Sequence, residues 1–435
     1  MNNSKLTKPV IFSCFFAGCL EMYDFVIFGF LAPVIHKNYL SFLDETTGLI
    51  IAYMFFAVGF ICRPIGAIIF GYIGDKYGRK KALVLSVSLM GSASLCLSLL
   101  PKYDDIGIVA CYLIALIRVV QGISVGGEYS GAAIYAIEHT NKSNMGVVGS
   151  TVLAGTTLGV LLATIISNLL QDPELPEYSW RFAFLLGFGL AIIGYFIRKK
   201  LGESPLFAKE KEKIQIQKIP LFYGLKKYKT QFISAILLSG ANNANYYFAL
   251  VFIPSYFKTE GASSIDFNNW WLACFMLFLE PTFGWLSDKW SRNKIIIGVC
   301  SCLAIYNLFF LDLLITYATS MIGIMSIILS AVLLSTSVST VNVFVLQIFP
   351  TECRYSCGAL SYSIGAAVFG GTTPLVCSLI TEHIGNKPIY FGVYIALISL
   401  LGALGGILIL NKNKQNTSDQ RCNITQDLQL NLQSS

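Results

Sequence analysis

Glu21 and Asp24 stand three residues apart inside the apolar run LEMYDFVIFGF, residues 20–30. On a helix that spacing separates two side chains by about 60°, so the carboxylates share one face. A carboxylate at the middle of a bilayer costs about 3 kcal/mol even on a lenient insertion scale. Burial and a like-charged neighbour both favour the protonated form. Such a pair can gain and lose a proton near neutral pH, which is the chemistry that coupling a proton to another movement requires. The alternative is that both acids pair with Arg63 or Arg118 and only hold helices together.

Other residues could meet a solute. Arg118, in IALIRVVQG, carries a guanidinium that grips a carboxylate through two parallel hydrogen bonds. Gln121 follows three residues on, on the same face. Glu128 lies ten residues beyond Arg118, about 80° round the helix and about 15 Å along it, so the two do not pair. Glu128 is a candidate coupling acid. The surrounding run GISVGGEYSGAA is rich in small residues, which let helices approach closely in lipid. The stretch SGANNANYYFAL offers Asn242, Asn243, Asn245, Tyr246 and Tyr247, with Asn242, Tyr246 and Ala249 on one face. Aromatic rings can hold a quaternary ammonium by cation–π attraction. Interhelical hydrogen bonding is the alternative use of these amides. Tyr23 and Asn342 complete the candidate solute cavity. Glu280, in FLEPTFG, is expected about one turn from the inner edge of its segment, and Arg63, before Pro64, is expected to be a structural partner.

The elements that position these residues are membrane helices. Apolar segments recur twelve times: 10–36, 46–70, 82–100, 106–137, 146–170, 180–197, 230–254, 266–286, 295–316, 321–346, 356–381 and 388–410. About 20 apolar residues span the roughly 30 Å of hydrocarbon. The composition agrees: 55% of residues are hydrophobic and 13% charged, against about 25% charged in a soluble domain. The first segment follows Lys5 and Lys8 as a signal peptide would. It is nevertheless too long, contains acids and lacks a small-residue cleavage site, so it is expected to remain as the first span.

The net charge of +7 could suggest nucleic acid, but its distribution argues against that. With both termini on one side, five of the 31 Lys and Arg (Lys37, Lys102, Arg181, Lys258 and Lys387) fall in opposite-side loops, and Arg63 and Arg118 lie within spans. The positive-inside rule then predicts cytoplasmic N- and C-termini. Most of the 12 cysteines sit in apolar runs without a C-x-x-C, and the three histidines are scattered, so the cysteines read as small buried hydrophobes. No metal, cofactor or catalytic set is expected, which argues against an enzyme.

The charged stretch 198–229 divides the chain into an N-terminal bundle, 1–197, and a C-terminal bundle, 230–410. Pro205 and Pro220 are expected to interrupt this linker, with a short surface helix at KEKEK, and the polar tail 411–435 to be disordered. A repeat supports two halves. GYIGDKYGRKK (71–81) and GWLSDKWSRNK (284–294) match at Gly71/Gly284, Asp75/Asp288, Lys76/Lys289, Arg79/Arg292 and Lys81/Lys294. Duplicated bundles are typical of secondary transporters. Asp75 and Arg79 can pair with helix ends and neighbouring charges to form a latch in one conformation, and Glu138 is the expected partner of Arg79.

The G-x-x-x-D-K-x-G-R-K-K turn resembles the loop signature of the major facilitator superfamily. LEMYDFVIFGFLAPVI, RPIGAIIFGYIGDKYGRKK, RVVQGISVGGEYSGAAIYAIEH and FPTECRYSCGALSYSIGAAVFGGTTPLV resemble its metabolite:proton symporter branch, and SWRFAFLLGF and RKKLGESPLF fit too. The resemblance runs over residues 10 to 410. It implies an all-α fold of twelve transmembrane helices in two six-helix bundles, in a bacterial inner membrane. It also implies alternating access, with Asp75, Arg79 and their repeats Asp288 and Arg292 controlling interconversion without touching solute. The implied activity is proton symport of a small organic solute. Proline or betaine is favoured and a di- or tricarboxylate such as α-ketoglutarate or citrate is the alternative. A non-transporting receptor on a carrier fold is the alternative of another class.

Overall fold

The computed structural model describes residues 4–172, 174–213, 220–253, 256, 269–317, 320–385 and 387–433. Six membrane helices form the first half: α1 Ser4–Phe30, α2 Glu45–Lys76, α3 Arg79–Leu99, α4 Val109–Glu138, α5 Met145–Leu170 and α6 Arg181–Lys200. Six form the second: α7 Lys229–Tyr247, α8 Asn269–Lys289, α9 Arg292–Ile305, α10 Met321–Gln347, α11 Arg354–Gly365 and α12 Pro388–Gln433. Three of them, α7, α9 and α11, run on through π turns at Phe248–Phe252, Tyr306–Phe310 and Ala366–Gly370. On the described residues alone, ten helices are long and apolar enough to cross a membrane. The other two spans are α7 and α8, which flank the undescribed residues 257–268.

The outer surface is apolar, with Phe12, Met54, Ile61, Tyr112, Phe278 and Met321 exposed. The interior holds the charge: Glu21, Asp24, Arg63, Arg118, Glu128, Arg198 and Glu280 are 0–5% exposed. A lipid-facing position for these acids and guanidinia is thereby ruled out. This inversion suits hydrocarbon as the surrounding solvent, where charge must face protein or water.

Within the halves α1 packs along α5, α2 along α4, α3 along α6, and α7 and α9 along α12. Between them α5 packs along α8 and α2 along α11. Small residues set these distances. A Cβ on Gly126 would lie 2.1 Å from the Arg63 carbonyl oxygen, and one on Gly122 would lie 2.3 Å from that of Gly59. The glycine-rich run of α4 therefore serves close backbone contact with α2.

Two expectations about the flanks need correction. Pro205 and Pro220 do not interrupt structure; each opens a helix, Pro205–Lys213 and Pro220–Lys227, because a missing N–H costs nothing in the first turn. Residues 214–219, within the expected linker, lie outside the described residues. The tail from 411, expected to be disordered, continues α12 to Gln433. No Gly or Pro follows Gly406 to stop that helix.

Candidate functional site

The two acids of α1 share a face but not a partner. Glu21 Oε1 lies 3.7 Å from Arg63 Nη2, and neither Glu21 oxygen accepts a hydrogen bond. The Arg63 guanidinium is held between Phe25 and Phe60, 4.8 and 5.1 Å from the ring centres, and its Nε–H has no acceptor. Asp24 is pressed against α6, where a Cβ on Gly187 would meet its Oδ1 at 1.7 Å. Both Asp24 oxygens also lack a hydrogen-bond partner. Two buried carboxyls without donors are poorly matched to permanent charge.

Arg118 does not pair with either acid. It donates to Gln121 Oε1 (2.7 Å) and to the carbonyls of Phe55 (3.3 Å) and Phe56 (3.4 Å). Phe25, Phe28 and Phe56 wall it in at 4.9, 4.5 and 5.5 Å. Its donors are already used by α2 and α4, so it braces those helices; the expectation that it grips a solute is not what its contacts favour. Glu128 is matched by Arg198 at 2.8 Å, whose other amino group donates to the Leu83 carbonyl. Arg198 was counted from the sequence as one more basic residue of the linker. The signal that could have found it is Glu128 itself, a mid-span acid in need of a cation.

The halves meet through aromatic rings. Tyr129 of α4 stacks on Tyr362 of α11 at 4.7 Å, and Phe60 of α2 meets Tyr247 of α7 edge-on at 5.6 Å. Tyr246 lies beside Tyr247 at 5.7 Å, and the Tyr362 hydroxyl donates to Asn243 Oδ1 (3.3 Å). Tyr129, Tyr246, Tyr247 and Tyr362 each keep partial exposure at mid-helix, so they line the seam between the bundles. Arg63 reaches the same seam beside Tyr247. Asn242 bonds Asn342 (3.5 Å) and accepts from Ser337 (2.9 Å).

Three expected cavity residues are bonded within one bundle, Gln121 among them, accepting from Arg118 and donating to Ser94 Oγ at 3.3 Å. Asn245 turns into the second bundle, donating to Ser399 Oγ at 2.9 Å and accepting from Asn307 Nδ2 at 3.0 Å. Tyr23 donates to the Ala183 carbonyl inside the first bundle. Glu280 is also not near a helix end. It sits nine residues before Lys289, about 13 Å along the axis, and accepts from Thr157 of α5 at 2.9 Å.

At one end of the bundles the duplicated turns form a closed latch. Asp75 accepts from the amides of Tyr355 (3.2 Å) and Ser356 (2.8 Å) at the start of α11. Asp288 accepts from the amides of Gly146 (2.7 Å) and Val147 (2.9 Å) at the start of α5. Each turn therefore caps a helix of the opposite half, where unpaired N–H groups and the helix dipole favour a carboxylate. Arg79 pairs with Asp75 (2.9 Å) and Glu138 (3.3 Å) and donates to the Thr351 carbonyl (2.8 Å). Arg354 reaches Glu138 from the other half at 3.1 Å. In the second copy Arg292 bonds Asp288 and Gln347. Gly71 allows the approach, since a Cβ there would lie 2.6 Å from Ser356 Cα. The linker adds to the lock: Glu203 accepts from the Arg79 amide (3.0 Å) and Ser204 donates to Glu138 (2.5 Å). Gly78, at φ 119°, makes the bend between α2 and α3 that a side chain would strain.

Breaking one side of a buried ion pair costs about 3–5 kcal/mol. Asp75→Asn is therefore expected to shift the closed latch toward its open form. Cys353 and Cys357, fully buried at this face, report on it: maleimide labelling of their peptide, read by mass spectrometry, should rise well above wild type. Unchanged labelling would show that the turn does not hold the halves together.

Known proteins share this architecture. Residues 14–360 match the model of the Major Facilitator Superfamily. The chain is 30% identical over 423 residues to the proline/betaine transporter of Escherichia coli (strain K12), covering 92% of this chain and 83% of that one. It is 30% identical over 421 residues to the proline/betaine transporter of Salmonella typhimurium (strain LT2), covering 92% and 83%. Its fold superposes on a proton:xylose symporter bound to 6-bromo-6-deoxy-D-glucose with a TM-score of 0.75 at 17% identity, over 92% and 95% of the chains. It superposes on a human organic anion transporter with a TM-score of 0.68 at 12% identity, over 92% and 99%. Twelve helices in two halves, joined by a repeated capping turn and matched over most of their length by the family model, make this chain a multi-pass membrane transporter of the major facilitator superfamily.

Proposed function

We propose that the chain is a proton-coupled symporter that takes up a small zwitterion of the proline or betaine kind by alternating access. The observation that carries this reading is Arg63: a buried guanidinium at the seam, with an unused Nε–H, beside an aromatic cluster of Phe25, Phe60 and Tyr247. A carboxylate fits the guanidinium, and an ammonium fits the faces of Tyr129, Tyr247 and Tyr362. Glu21 and Asp24 supply carboxyls able to carry the proton, with Glu21 next to the solute's charge. Tyr246, Asn242 and Asn342 border the same seam. The names of the relatives agree with this solute class.

A di- or tricarboxylate would call for further cations at the seam, but Arg118 is turned onto carbonyls and Arg198 onto Glu128. The excess of Lys and Arg at the latch end supports a cytoplasmic assignment for that face and both termini, in a bacterial inner membrane. With the latch engaged, the binding seam then opens outward.

Proteoliposome uptake of labelled proline, betaine, α-ketoglutarate and citrate tests the reading. Accumulation of proline or betaine above equilibrium, only with acid outside, is expected. Uphill uptake of the carboxylates alone would overturn the solute class, accumulation independent of the pH gradient would overturn coupling, and no transport of any solute would favour a receptor.

A further inference from the structure

We infer that Glu280 is a second proton-binding site, and that its contact with Thr157 is a proton-controlled clasp between the two bundles. This deepens the symport reading and rests on it. Glu280 is fully buried at mid-span. Oε1 accepts from Thr157 of the opposite bundle and Oε2 has no partner. The helices packed on either side, α5 and α10, contain no Asp, Glu, Lys, Arg or His along their length. The groups that face it from other elements are the phenols of Tyr246 on α7 and Tyr129 on α4. On its own helix the nearest charges are Asp288 and Lys289, more than two turns away, and beyond them lie Arg292 and Lys294 of α9. Among the described residues an ionised Glu280 would thus face hydroxyls and apolar groups without a cation, an arrangement that costs several kcal/mol. A neutral carboxyl accepts the Thr157 hydrogen bond without that cost.

The surroundings suit a moving part. Pro281 follows immediately and interrupts the backbone ladder of α8. The Glu280 carbonyl also accepts from Ser339 of α10 at 2.8 Å. Thr157 and Glu280 lie on the α5–α8 seam that also holds the Gly146–Asp288 cap. When the latch end opens, α5 leaves α8, water reaches Glu280 and the carboxyl can ionise. The O–H bond of the acid then breaks, with the proton passing to water on the latch side and the electron pair staying on the carboxylate. Proton release is thereby tied to the same movement that releases solute.

Infrared difference spectroscopy on the purified full-length chain, without solute, tests the site. At neutral pH the wild type is expected to show a protonated-carboxyl carbonyl band that is absent in Glu280→Gln. Thr157→Val, which keeps the acid, should shift that band, because its hydrogen-bond donor is gone. In proteoliposomes Glu280→Gln should lose one proton from the proton-to-solute ratio. A band unchanged in both variants, or an unaltered ratio, would overturn the proposal. Because the spectroscopic reading needs no solute, failure to find a transported solute would count against the symport reading alone.

Discussion

Arg63→Met should weaken solute binding between about tenfold and about a hundredfold. A hydrogen bond to a charged group contributes about 1.5–3 kcal/mol, and each 1.4 kcal/mol is a factor of ten. Methionine keeps apolar bulk between Phe25 and Phe60, so the lost quantity is the charged fork. Arg63→Lys should recover only part of the affinity, because an ammonium restores charge without the paired geometry. Calorimetric titration with the transported solute reads both variants. Arg118→Met is the contrasting case. Its guanidinium spends its hydrogen bonds on Gln121 and two carbonyls, so its loss should lower the melting temperature. Full affinity in Arg63→Met would move the binding role elsewhere.

Glu21→Gln combined with Asp24→Asn should lower both the proton-to-solute ratio and the uphill accumulation that a given pH gradient drives, leaving only the part carried by Glu280. The reason is stoichiometric: each acid lost removes a group that binds and releases a proton, so the gradient does less work per solute carried. The single substitutions should differ. Glu21 is next to Arg63, so Glu21→Gln leaves that cation less compensated and should also change solute affinity. Asp24 is lodged against α6, away from the solute seam, so Asp24→Asn should change coupling with little effect on affinity. Uptake and binding measured together across a range of pH separate these outcomes. A proton-to-solute ratio unchanged in the double variant would remove both acids from the coupling step and leave Glu128 and Glu280 as the buried carboxyls to test.

The latch shows how a sequence repeat becomes a mechanical part. Asp75 and Asp288 occupy matching positions in the two turns, and each caps a helix in the half it does not belong to. Because the caps cross over, opening one end of the molecule must break both at once. The linker residues Glu203 and Ser204 attach to the same cluster, so 198–229 is more than a tether.

The twelve spans, the duplicated turn and the presence of unusual buried charge were all legible in the residue order. Hydrocarbon imposes a one-dimensional constraint on apolar length, and the turn repeat is a match between two short strings. The Arg79–Glu138 pair was also within reach, since both residues sit at the same end of neighbouring spans. Helix periodicity assigns a side chain an angle on its own helix, but it does not say which neighbouring helix stands at that angle. Tertiary packing alone therefore decided that Glu128 belongs to Arg198, that Arg118 braces α2 while Arg63 reaches the seam, and that Tyr247 faces the first half while Asn245 turns away. It also brought Thr157 to Glu280 across 123 positions of sequence. Partners that distant are chosen by how whole helices rotate and settle against one another, which no local pattern encodes.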